Sequence, residues 1–132
     1  MDKLEEIIHQ QAQRKSNLVS LFMSLRALDS LSNSEFFGGI FDFYEIKDAS
    51  EYIMETLKKA NTSTLFEFIE QEEKALAQFE QKTKGFENKE GLKGFKEIGI
   101  KTAELLENIK QWYKKHLKYN ILDVQNGIVL LA

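Results

Sequence analysis

The chain's 132 residues suit one domain, large enough to bury a core of its own. Its 42% hydrophobic and 30% charged residues are a globular balance, and with no cysteine it can have no disulfide, thiolate metal site or thiol nucleophile. No proline interrupts a helix, and the net charge of −3 is solubilising rather than diagnostic, although residues 92–132 carry 7 basic and 4 acidic groups while residues 1–60 carry 7 and 10.

The first residues, Met1-Asp2-Lys3-Leu4-Glu5-Glu6, lack the apolar region of a secretory signal. No apolar run approaches the roughly 20 residues of a membrane span, so the expectation is a cytoplasmic protein with no membrane partner. A first helix is predicted to start after Asp2, with Glu5 at capping-box spacing, and to end near Leu31. Leu4, Ile8, Leu18, Phe22 and Leu25 form its apolar stripe. Gln11 and Lys15 interrupt that stripe, and residues 10–17 are polar nearly all round, which predicts a stretch that protrudes or packs only lightly. Glu6 and His9 make a Glu-x-x-His step, the spacing by which one helix face brings two ligands to an ion in dimetal bundles. Such sites use the step on two helices, and His116, the other histidine, has Tyr113 in the carboxylate's place.

Phe36-Phe37-Gly38-Gly39 reads as a breaker, followed by a second helix over 40–60 with Ile46, Ala49, Ile53, Leu57 and Ala60 as its stripe. Asp48 and Glu51 again have capping-box spacing, which predicts an interruption near Asp48. Phe36, Phe37, Phe41, Phe43 and Tyr44 place five aromatics around the breaker, a cap for the bundle's end or a docking patch.

A polar turn at Asn61-Thr62-Ser63 precedes a third helix opened by Thr64 and Glu67. Leu65, Ile69, Glu72, Leu76, Phe79, Thr83 and Phe86 step by four and three, the rhythm of a bundle seam, and Gly85 should end the helix. Glu72 falls on that seam and requires a cationic partner on a neighbouring helix or a wet environment. The acidic run Glu67, Glu70, Glu72 and Glu73, with Glu104 and Glu107, is similar to the Glu-x-x-Glu steps with which helical nucleotide pyrophosphatases hold magnesium. The Asp those sites add is missing, so the run reads as a solvated face.

The fourth helix is expected over 92–117, with Leu92, Phe95, Gly99, Thr102, Leu106, Ile109 and Tyr113 as its stripe. Gly94 and Gly99 weaken it, and Gly99 with Ala103 would permit a close crossing. Lys110, Lys114, Lys115, His116 and Lys118 interleave with Trp112, Tyr113 and Tyr119, a pattern that serves nucleic-acid binding or simply complements a helix C-terminus. Asn126-Gly127 then predicts a hairpin or extended arm between 121–124 and 128–131.

Together these features predict an all-α fold: one domain over 1–132, a four-helix up-and-down bundle with a short C-terminal hairpin or arm. With no catalytic triad, phosphate loop or dinucleotide fingerprint, neither enzyme activity nor a cofactor is expected. The function expected is protein–protein binding of the adaptor, chaperone, inhibitor or immunity type, in a bacterial protein, with a homodimer as its simplest form. The candidate partner surface is Phe36, Phe37, Phe41, Phe43, Tyr44, Ile128, Val129, Leu130 and Leu131. Two other readings compete: a metal-dependent enzyme on Glu6, His9 and Glu72, and weak nucleic-acid binding through residues 110–118.

Overall fold

A computed structural model describes the backbone of residues 3–33, 40–86, 94–116, 122–123 and 128–129, and the side chains of 3–28, 48–86 and 94–115. Four helices pack together: α1 (Lys3–Asn33), α2 (Ile40–Lys59), α3 (Leu65–Thr83) and α4 (Phe95–His116). None is long and apolar enough to cross a membrane. At 31 residues against 19 to 22 for the others, α1 is the spine. It packs along α2 and α4 and more lightly on α3, while α3 packs on α4.

Local chemistry sets the helix ends. Asn61, with φ of 54°, closes α2 in a Schellman arrangement: the Asn61 N–H donates to the Lys58 carbonyl at 3.0 Å and the Thr62 N–H to the Leu57 carbonyl at 2.9 Å. Two residues later Thr64 caps α3, its hydroxyl accepting from the Glu67 N–H at 3.1 Å. The reciprocal bond of a capping box is displaced by one residue, for the Glu67 carboxylate accepts from Ser63 N–H rather than from Thr64. Gly85, at φ of 92°, follows the end of α3.

Two predicted features are corrected. α2 runs unbroken from Ile40 through Asp48, whose side chain is exposed, and Ala49, Ile53 and Leu57, which follow it, form one buried stripe. Gly94 is not inside α4. It stands before Phe95 at φ of 97°, and its carbonyl accepts from the Glu97 and Ile98 N–H groups at 3.1 and 3.3 Å.

The core joins Leu18, Leu21, Leu25 and Leu28 of α1 to Ile53 and Leu57, to Leu65, Phe68, Ile69, Leu76 and Phe79, and to Phe95, Leu106, Ile109 and Trp112. Every predicted seam residue of α3 is buried except Phe86, which lies beyond the helix and is exposed. Thr83 and Thr102 enter the core because each hydroxyl donates to the carbonyl one turn back, Phe79 at 2.8 Å and Ile98 at 2.7 Å. Contacts also give the helix directions. Lys110 meets Glu73 while Gly99 lies against Phe79, so α3 and α4 run antiparallel.

After α4, β1 (Leu122–Asp123) and β2 (Ile128–Val129) pair antiparallel, Leu122 opposite Val129 and Asp123 opposite Ile128. The strands are those the sequence predicts for a hairpin. Asn126 and Gly127, between them, lie outside the described residues.

A candidate binding face around the fourth helix

The aromatic connection and apolar tail can be placed only in part. Phe41, Phe43 and Tyr44 belong to the first turns of α2, and Ile128 and Val129 form β2. Their side chains, and Phe36, Phe37, Leu130 and Leu131 entirely, lie outside the described residues.

The polar middle of α1 does not protrude. Gln11 is 3% exposed, and Arg14 reaches across to α3, its guanidinium donating to the Glu72 carboxylate at 2.6 Å. This is the cationic partner that a carboxylate on the seam requires. Glu72 is buried and Arg14 only half so. The next residue, Glu73, pairs with Lys110 of α4 at 3.0 Å. Adjacent carboxylates on α3 therefore tie it to α1 on one side and to α4 on the other. The Gln11 amide nitrogen is buried with no hydrogen-bond partner among the described residues.

Beside this layer a cleft of about 270 Å³ opens between α1, α2 and α3, with Arg14, Lys59, Glu55 and Glu72 in its walls. Gln71 spans one end, donating to the Ala60 carbonyl at 3.0 Å. Glu6 and His9 are exposed. Among the described residues no three His, Asp or Glu side chains converge as a metal set, so Glu6, His9 and Glu72 are not brought together. Glu67, Glu70, Glu73, Glu104 and Glu107 are exposed, as the solvated-face reading expects, whereas Glu72 of the same run is buried.

The aromatics interleaved with lysines divide between two roles. Trp112 turns into the core, and Tyr113 packs on Phe66 with ring centroids 6.0 Å apart. Lys110 is engaged with Glu73, which leaves Lys114 and Lys115 as the exposed cations of the described part of the patch.

The less expected feature is the outer side of α4, flanked by a groove on each side. One, of about 470 Å³, runs between α1 and α4, with Val19, Ile98 and Leu105 as its apolar walls and Lys15, Lys101 and Glu104 around them. Met23, one turn beyond Val19, is 66% exposed. The other, of about 430 Å³, runs between α3 and α4 over Phe79, Phe95 and Gly99, walled by Ile100 and Ala103 on α4 and Glu80 and Thr83 on α3. Its floor is low at Gly99, where a Cβ would meet the Phe79 ring at 3.5 Å. The close crossing expected of Gly99 and Ala103 is thus made by Gly99, whereas Ala103 is exposed. Ile100 stands on the rim, 53% exposed.

Sequence patterning passes over this face because the period of each helix marks its buried stripe. Val19, Met23, Ile98 and Ile100 all fall outside the predicted stripes, but so do Leu21, Phe68 and Trp112, which are buried, so the sequence does not single this face out. No family model, curated protein or solved structure matches the chain.

Proposed function

We propose that the chain acts by binding another protein, as a small helical module of the adaptor, chaperone, inhibitor or immunity kind. The observation that supports this reading is the pair of grooves flanking α4, each with apolar and charged residues in its walls, and Met23 and Ile100 standing in water beside them. A helix with apolar anchors at three- and four-residue spacing fits such a groove, and removing those anchors from water drives association. Single exposed apolar residues are ordinary, but here they flank preformed concave surfaces. The aromatic connection and C-terminal segment are a second proposed surface, resting on sequence alone.

Affinity capture from the cells that make the protein tests this reading. One stoichiometric protein partner is expected, retained by Lys74→Glu on the far side of α3 and lost with Met23→Asp or Ile100→Asp. Capture that is indifferent to all three substitutions would move the function elsewhere. Stoichiometric metal on protein purified without chelator would favour the carboxylate enzyme instead.

A further inference from the structure

We infer that α4 is a self-association surface, on which a second copy of this chain lies antiparallel with Ile100 of one copy packed on Ile100 of the other, beside the α3–α4 grooves. The inference rests on the protein-binding reading and names the occupant. Lys96, Ile100, Ala103, Glu104 and Glu107 lie within about 100° of the helix circumference, at 100° per residue, and all are exposed. Ile100 supplies an apolar contact at the centre of that face, and the groove over Phe79, Phe95 and Gly99 runs beside it. An exposed apolar residue at the centre of one helix face suits a two-fold contact, since each copy presents the same patch and the residue meets its own counterpart.

The charges carry the same symmetry. In an antiparallel pair centred on Ile100, a residue a given number of steps before it faces the residue the same number after it in the partner. Lys96 stands four residues before Ile100 and Glu104 four after. Each two-fold contact therefore places Lys96 against Glu104 twice, with opposite charges meeting both times. A parallel pairing would set Lys96 on Lys96 and Glu104 on Glu104, so the pattern selects direction as well as partner. Ala103 is small enough to let the helices approach. Within one chain Glu104 meets only Lys101 at 3.8 Å among the described ion pairs, an exposed contact that yields readily to a better one.

Sedimentation equilibrium of the full chain tests the inference. The wild type is expected to dimerise at submillimolar concentration, and Ile100→Asp to weaken the dimer about 100-fold or more, as loss of a central anchor does. K96E and E104K should each be monomeric alone, because each sets like charges face to face. Mixed in equal amounts they should form a heterodimer. The K96E chain carries a carboxylate at both positions and the E104K chain an ammonium at both, so opposite charges meet at each contact. Unchanged circular dichroism melts would show that the variants remain folded. A monomeric wild type overturns the inference, as does a dimer that survives Ile100→Asp or a mixture that stays monomeric. If the wild type is monomeric but Ile100→Asp abolishes capture of a different protein, self-association fails and the protein-binding reading stands. If the dimer behaves as described and no other protein is captured, the occupant is a second copy alone.

Discussion

At the level of single residues, the contact between Arg14 and Glu72 joins a buried carboxylate to a half-exposed cation. The two side chains differ sharply in exposure, 42% against 9%, so removing one is not equivalent to removing the other. Arg14→Met leaves a carboxylate buried without its cation and is expected to cost about 2–3 kcal/mol. That is below the figure for a fully buried pair, because Arg14 is half in water. Glu72→Leu leaves an arginine that can turn to solvent, so it should cost less. The double variant should recover most of the loss, since an apolar pair often replaces a buried ionic one. Urea unfolding of the four proteins completes the cycle; equal, additive losses would show that the pair is not coupled. The glycines make a second contrast. Gly99→Ala places its methyl in ordinary contact with Phe79 and removes a helix-weakening glycine, so a gain of about 0.5–1 kcal/mol is expected. Gly94→Ala meets nothing within 4 Å, yet at φ of 97° it should destabilise by about 1 kcal/mol or more, through backbone strain alone. Thermal melts that ranked the two the other way would contradict the assigned backbone.

At the scale of elements, α3 is the most legible part of the chain. Its four-and-three rhythm names six of its seven buried residues, and Thr64 with Glu67 marks its start. Thr64→Ala should cost about 1 kcal/mol in chemical denaturation, while Thr64→Asp, which keeps an acceptor at the cap, should cost little. Equal losses would mean that the hydroxyl's bond to Glu67 N–H contributes nothing. Other elements depart from their sequence pattern for identifiable reasons. Asp48 and Glu51 have capping-box spacing, but the helix is already under way from Ile40, so the spacing marks no start. Gly94 resembles a weak point within α4 because its neighbours continue the period; its positive φ puts it outside. The middle of α1 has the pattern of a lightly packed stretch because Gln11, Arg14 and Lys15 are polar. Sequence cannot show that a polar position faces its complement on another helix, and here Arg14 faces Glu72.

At the scale of the molecule, one long helix supports three shorter ones and lines one of the two grooves beside α4. The all-α bundle is readable from periodicity because burial imposes a 3.6-residue rhythm on each helix. The candidate face is not, because it is composed of residues from α1, α3 and α4 that only packing brings together, and because exposure is a property of the assembled surface. The residues favoured from sequence, around Phe36 to Tyr44 and Ile128 to Leu131, cluster along the chain; those the structure singles out, Val19, Met23, Phe79, Gly99 and Ile100, are drawn from three helices. In the proposed function, a protein occupies the outer side of α4. A photoactivatable amino acid at position 100, with a second protein carrying it at the exposed position 74, tests this most directly when both are irradiated in the cells that make the chain. One discrete protein adduct, a second copy or another chain, is expected from position 100 and none from position 74. No adduct from position 100, or the same adducts from both positions, would contradict the proposed function.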